Sequence, residues 1–255
     1  MNNLRFVNEK PRSIPEQKRC LRESMKRRRS EIENRDVKED LLVENTLKLL
    51  AEIYKSKGAG IKRSIFVYLS YSAEAKTDKL IELLQGKGYE VYAPKTNEKD
   101  MDAVIIGSDF SLSSLGIREP VGTAYHGEID VAIVPLLAVD YQGNRLGYGK
   151  GYYDKFFTER NSMIKIGYCY DRQVIKAVPV DENDVKLEYI VTEKGITNCY
   201  DKQVIKAVPV DENDVKLEYI VTEKGITNCY DRQVIKVVPV DEKDVKLSIA
   251  SRKKA

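Results

Sequence analysis

Residues 140–157, DYQGNRLGYGKGYYDKFF, set Gly143, Gly147, Gly149 and Gly151 among Arg145, Lys150, Lys155 and Asp154. The last three glycines alternate with Tyr148 and Lys150 just before a helical pattern. Bare backbone lets N–H groups approach an anion, and the start of the helix adds unpaired donors and the positive end of its dipole. Arg145 and Lys150 supply countercharge, while Asp154, one turn inside the helix, is suited to hold a magnesium ion that bridges phosphate oxygens. The stretch therefore predicts a site for a phosphate-bearing ligand with a divalent metal. A glycine turn with solvated charges is the plainer alternative, and it leaves the conjunction of glycines, cations and acid unexplained.

Two named phosphate motifs do not fit. Gly149-Lys150 is followed by Gly151 rather than Ser or Thr, and Gly143 lies one residue too far upstream for a Walker P-loop. The spacing also misses the dinucleotide pattern G-x-G-x-x-G.

The elements that must position this stretch alternate in type. IPEQKRCLRESMKRRRSEIENR and VKEDLLVENTLKLLAEIYKSKG predict helices, with Leu21, Met25 and Ile32, then Leu42, Leu47, Leu50 and Tyr54, near helical spacing. RSIFVYLS predicts a strand, AKTDKLIELLQGKG a helix, YEVYAPK a strand, and IDVAIVPLLAVD a buried strand with its extension. GYYDKFFTER then predicts a helix, and SMIKIGYCYD and VKLEYIVTEKG predict strands. Such alternation implies an α/β layer fold with a largely parallel sheet, whose ligands gather at the carboxyl ends of the strands. The glycine stretch sits at such an end.

The 255 residues are 42% hydrophobic, enough for a buried core, and 43 basic against 40 acidic side chains leave a net charge of only +3. That balance does not by itself predict nucleic-acid binding. No run reaches the length of an apolar membrane span, and MNNLRFVNEKPRS lacks the apolar block of a secretory signal, so the expected compartment is the cytoplasm. Cys169, Cys199 and Cys229 are one residue in three copies of a repeat, which leaves Cys20 as the independent cysteine and favours reduced thiols.

The repeat is CYDRQVIKAVPVDENDVKLEYIVTEKGITN, residues 169–198; it recurs from Cys199 with Lys202 in place of Arg172, and again, truncated, from Cys229. Near-identical copies confined to one end of the chain indicate a tandem duplication rather than a solenoid. The expected organisation is one α/β domain over 1–198, with 199–255 as accessory or poorly packed copies. Only the first KLEYIVT follows MIKIGY, its expected neighbouring strand; repeated strands competing for one slot would leave an unpaired, aggregation-prone edge.

NRLGYGKGYYD resembles the signature of the 5-formyltetrahydrofolate cyclo-ligase family, also called methenyltetrahydrofolate synthetases. The resemblance extends through KRCLR, VYLSYSAEAKT, APK, GIREP, DVAIVP and VPVDENDVKLEYIVTEKGI, covering about residues 15 to 197. It implies a three-layer Rossmann-like α/β fold with a mostly parallel sheet, followed by the duplicated C-terminal segment. It also implies ATP- and magnesium-dependent closure of 5-formyltetrahydrofolate to 5,10-methenyltetrahydrofolate with release of ADP and phosphate. By resemblance, Lys18, Arg19, Cys20, Leu21 and Arg22, with Arg145, Leu146, Gly147, Tyr148, Gly149, Lys150, Gly151, Tyr152 and Tyr153, line the ATP site. Arg22, Leu69 and Glu74 face the folate, Tyr148, Gly149, Lys150, Gly151 and Tyr152 are shared by both ligands, and Asp154 and Asp184 hold magnesium. Lys18, Arg22, Arg145 and Lys150 are assigned to phosphate charge, and no residue to covalent catalysis. Asp184 recurs as Asp214 and Asp244, and the first copy is expected to serve. Leu136, where family members often have glycine, and Val139, in place of a common aromatic, depart from the pattern and bear on packing beside the folate.

Other residues have blander readings. Lys18 and Arg22 share a helix face at i, i+4 and could equally be solvated charge, and KRRR at 26–29 is expected to face solvent. His126 is expected in a loop and Cys20 as a small buried helix residue; GIREP is a rigid turn fixed by Pro120, or a lid over the pterin. Three functions compete: the ligase, a non-catalytic folate-binding protein of the same fold, and a nucleic-acid binder using the basic first helix. Only the ligase uses the glycines and acids together. The expected partners are ATP and 5-formyltetrahydrofolate, with no nucleic acid and no membrane, in a monomer or weak homodimer.

Overall fold

The computed structural model describes residues 13–57, 63–97, 100–114 and 116–199, and the strands at 219–222, 225–228 and 234–235. The chain divides into two compact units, Met1–Val204 and Ile205–Ala255.

In the first unit, helices α1 (Ile14–Ser30) and α2 (Arg35–Lys57) precede strand β1 (Ser64–Val67). There follow α3 (Asp78–Gly86), β2 (Glu90–Thr96), β3 (Met101–Ile105), a hairpin of β4 (Phe110–Leu112) and β5 (Arg118–Pro120), β6 (Val131–Val134), β7 (Ala138–Asp140) and β8 (Arg145–Leu146). Then come α4 (Tyr152–Glu159), β9 (Ile164–Tyr168), a 3-10 turn at Asp171–Gln173, β10 (Val174–Ile175), β11 (Tyr189–Thr192) and β12 (Gly195–Asn198). The main sheet has the order β12-β11-β9-β6-β1-β2-β3. Its five inner strands run parallel, and the edge strands β12 and β3 are antiparallel to their neighbours.

Buried residues leave alternate faces of the strands. Ile65, Val67, Val131, Ile133, Ile166 and Val191 pack with Leu42, Leu50, Leu80 and Leu84 of α2 and α3. Phe66, Ala132, Val134 and Ile190 pack on the other side with Phe156 and Phe157 of α4. Helices thus cover both faces, as parallel strands joined by crossovers require. Leu136 and Val139 are buried in the second cluster, so both departures from the expected sequence pattern are absorbed by packing.

A small sheet, β10-β7-β8, supports the glycine stretch: β8 ends at Leu146, and five residues separate it from α4. Leu21 and Met25 of α1 pack on it against Leu137, Ala138, Leu146 and Val178. This packing aims the basic face of α1 at the glycine turn.

The structure corrects several sequence expectations. The first helix ends at Ser30, and Asn34, with φ 52°, turns the chain into α2. IDVAIVPLLAVD is split by Pro135 into β6 and β7, which belong to different sheets. The last expected strand turns back after Thr192 to form the antiparallel pair β11–β12. GIREP is not an isolated turn, because Arg118–Pro120 pairs with Phe110–Leu112. KRRR does not face solvent throughout: Arg29 is only 4% exposed.

In the second unit, β13 (Tyr219–Thr222), β14 (Gly225–Asn228) and β15 (Val234–Ile235) form an antiparallel sheet. The pairing of β13 with β14 repeats the register of β11 with β12. Asp214 and Asp244 lie outside the described residues. No helix among the described residues is long and apolar enough to cross a membrane.

Candidate active site

A cavity of about 1630 Å³ opens at the carboxyl ends of β1, β2 and β6. Its wall combines sequence-distant pieces: the polar face of α1, the segment from Leu69 to Glu74, the end of β2 with Pro94 and Thr96, the β4–β5 hairpin with Ile117 and Glu119, and the turn from Leu146 to Asp154. The loop from Asp181 to Val185 closes one side.

On α1 the spacing i, i+4, i+8 brings Lys18, Arg22 and Lys26 to the cavity. Arg19, Cys20 and Leu21, expected beside the ligand, are not on its wall; Arg19 is exposed, and Leu21 packs on the small sheet. Lys18 Nζ donates to Asp181 Oδ2 at 2.6 Å and to Asp184 Oδ2 at 2.5 Å. Burial alone would pull the Lys18 pKa down, but the two carboxylates outweigh it and raise the value above that of an ordinary lysine. The same contact, helped by the Asn183 N–H, lowers the pKa of Asp181.

The turn is shaped by two close approaches. A Cβ on Gly147 would lie 2.8 Å from Arg145 Nη1, and one on Gly149 would lie 3.0 Å from Arg22 Cζ. Gly149 also has φ +101°, which side chains rarely adopt. Arg22 lies across this bare backbone and donates from Nε to the Gly147 carbonyl at 3.0 Å. Gly149→Ala should therefore displace the Arg22 guanidinium as well as strain the turn, at a cost of about 1–2 kcal/mol. A lower melting temperature together with a raised KM for the phosphate-bearing ligand would register both effects.

Arg145 and Asp154, expected to meet phosphate and metal, also meet each other: Arg145 Nη2 donates to Asp154 Oδ1 at 2.9 Å. The Arg145 side chain is 4% exposed and its guanidinium lies 5.5 Å from the Tyr153 ring centroid, so the turn is braced from beneath. Asp154 Oδ1 also accepts from the Val185 N–H at 3.3 Å, which ties the start of α4 to the loop carrying Asp184. Among the described residues no three or more His, Cys, Asp or Glu side chains gather as a metal cluster. Asp154 and Asp184 both line the cavity, and carboxylate oxygens of this kind are what a hard cation such as magnesium would take from the protein.

Leu69 and Glu74 line the cavity beside the glycine turn. Glu74 Oε1 accepts from the Tyr148 hydroxyl at 2.7 Å and Oε2 from the Tyr71 N–H at 3.0 Å. Burial raises the Glu74 pKa, opposed by those two hydrogen bonds and by the charge of Arg29. Sequence reasoning missed Arg29, Lys26 and Asp181. Extending the i, i+4 spacing of Lys18 and Arg22 along the helix would have found Lys26, whereas it passes over Arg29 to Ser30, and nothing local marks Asp181 as the partner of Lys18.

Residues 14–193 match the 5-formyltetrahydrofolate cyclo-ligase family. The chain belongs to that family. A Caenorhabditis elegans protein named "Probable 5-formyltetrahydrofolate cyclo-ligase" is 31% identical over 200 residues, covering 71% of this chain and 95% of the relative. The 5-formyltetrahydrofolate cyclo-ligase of Escherichia coli K12 is 31% identical over 140 residues, covering 51% and 77%. The solved structure of Aquifex aeolicus 5,10-methenyltetrahydrofolate synthetase superposes with a TM-score of 0.62 at 28% identity, covering 74% of this chain and 96% of that one. The matched cyclo-ligase region contains α1, the glycine turn, Glu74 and the Asp181–Asp184 loop.

Proposed function

We propose that this family member catalyses the ATP- and magnesium-dependent closure of 5-formyltetrahydrofolate to 5,10-methenyltetrahydrofolate, releasing ADP and phosphate. The observation that carries the reading is one cavity in which a glycine turn flanked by Arg22 and Lys150 adjoins Leu69 and Glu74. ATP would lie on the turn and folate against Leu69, Glu74 and Tyr148.

A formamide oxygen is a poor leaving group. It takes the terminal phosphoryl group of ATP; N10 then attacks the formyl carbon, loses its proton, and expels phosphate. Phosphoryl transfer asks the protein for position and charge rather than a nucleophile. Lys18, Arg22 and Lys150 offset phosphate charge, and the bare backbone at Gly149 lets the Arg22 guanidinium lie against the turn where the phosphates would sit. Arg145 holds Asp154 in place. Magnesium, held by Asp154 and Asp184, would supply charge neutralisation at the phosphate oxygens. Lys18 Nζ donates to Asp184 Oδ2 at 2.5 Å, so ATP phosphates would compete with that carboxylate for the ammonium.

Leu136 and Val139 are buried and absent from the cavity wall, so they supply no reason for a pocket that binds folate without turnover. The proposal assigns the enzyme to 1–198, treats 199–255 as accessory tandem copies, and expects a cytoplasmic monomer or weak homodimer acting on neither nucleic acid nor membrane. Cys199 is 8% exposed, and its N–H donates to the Glu188 carbonyl, so a truncation test should spare it. A protein ending at Val204 should keep the melting temperature and activity of the full chain. Loss of both would give the slot beside β9 to a later copy. Methenyl product formed only when ATP, magnesium and 5-formyltetrahydrofolate are all present tests the reaction itself; ATP hydrolysis indifferent to folate would overturn it.

A further inference from the structure

A chain of three side chains, buried at both ends by Arg29 and Glu74 and half-exposed at Tyr148, ties α1 to the glycine turn and to Glu74. Arg29, 4% exposed, donates from Nη2 to the Tyr148 hydroxyl at 2.6 Å, and that hydroxyl lies 2.7 Å from Glu74 Oε1. A guanidinium has donors only, whereas a phenol has a single proton. With Arg29 in place, the Tyr148 oxygen must accept from the guanidinium, and its proton must point to Glu74. The chain has one polarity. Arg29 is fixed for this by its Nη1, 3.4 Å from the Leu136 carbonyl, and by its stacking 5.5 Å from the centroid of the Tyr148 ring.

We propose that Arg29 is a positioning residue for the folate half of the site: through the Tyr148 hydroxyl it makes Glu74 present an acceptor, not a donor, to the ligand. The inference rests on the folate reading above. The pyrimidine edge of a pterin carries N–H donors, which need an acceptor opposite; a protonated Glu74 with a reversed Tyr148 hydroxyl would set donor against donor. The groups facing Glu74 explain why Arg29 matters. Tyr68 from the end of β1, Tyr148 from the turn and Tyr153 from α4 are phenols whose pKa values burial raises, so they stay neutral. Lys26 Nζ lies 6.0 Å from the centroid of the Tyr148 ring. Arg29 is the cation that opposes the effect of burial on Glu74.

The test is steady-state methenyl formation by full-length Arg29→Met, Arg29→Lys and Tyr148→Phe proteins, varying folate and ATP separately across pH. For Arg29→Met, KM for folate should rise roughly 10- to 100-fold, the value of a hydrogen bond to a charged group, with kcat and KM for ATP within about twofold. Activity needs the Glu74 carboxylate and falls as pH drops through its pKa. Losing the Arg29 charge raises that pKa, so the acid limb of kcat/KM for folate should move to higher pH. Arg29→Lys should restore part of both effects. Tyr148→Phe, which removes the connecting oxygen but keeps the cation, should also raise KM for folate, and it decides the matter if Arg29→Met does not fold. Equal losses for both substrates, or an unmoved folate KM in Tyr148→Phe, would overturn the proposal while leaving the reaction intact. Absence of product from the unaltered protein would overturn the folate reading, and this inference with it.

Discussion

Asp154→Ala should melt well below the parent protein and form no methenyl product. The mutation removes the carboxylate that accepts from Arg145 at 2.9 Å, and the Arg145 side chain is only 4% exposed. What remains to it among the described residues is the Pro135 carbonyl at 3.4 Å and the face of Tyr153. Breaking a buried pair from one side costs about 3–5 kcal/mol, and the 24% exposure of the Asp154 side chain places this case toward the lower figure. Asp154→Asn separates stability from chemistry. An amide oxygen can still accept from Arg145, so much of the melting temperature should return, but a neutral amide is a poorer magnesium ligand and product formation should stay depressed. Thermal melts and product assays on both variants check this. An asparagine protein with parental turnover would remove Asp154 from the metal role and leave it as a brace for the turn.

Lys150→Ala should do the opposite, leaving stability alone and removing function. Lys150 is exposed, and its ammonium lies 5.8 Å from the centroid of the Tyr152 ring. Surface substitutions of this kind usually change stability by less than about 0.5 kcal/mol. A cation aimed at a transferring phosphoryl group, by contrast, is worth on the order of 10²- to 10³-fold in rate. kcat/KM for ATP should fall by that amount with the melting temperature unchanged. Lys18→Ala is a less clean probe, because it strands Asp181 and Asp184 as well as removing a phosphate cation. Parental ATP dependence in Lys150→Ala would move the phosphate site away from the glycine turn.

The contrast between these two positions shows what sequence can carry. Gly147, Gly149 and Gly151 with their neighbouring cations are a local pattern, and local patterns survive in one dimension. The same holds for Lys18 and Arg22 on one helix face, and for the strand–helix alternation that places the turn at the carboxyl end of the sheet. Partnerships between distant segments do not. Arg145 reads as a free phosphate cation, yet folding buries it on Asp154. Arg29 reads as solvent-facing charge in a run of basic residues, yet packing of Leu21 and Met25 on the small sheet rotates it beneath Tyr148. Short strands such as β8 and β10 have no periodicity to detect at two residues each, and they exist because β7 offers both of them an edge.

The most direct measurement is absorbance of the methenyl chromophore after mixing the full-length protein with 5-formyltetrahydrofolate, ATP and magnesium, with Lys150→Ala alongside. The account predicts a rise that requires all three additions and is reduced about a hundredfold or more in the variant, whose fold is intact. A folded parent protein that gives no rise, or a Lys150→Ala protein that matches it, would contradict the assignment of the glycine turn to the phosphates of ATP in a folate-cyclising enzyme.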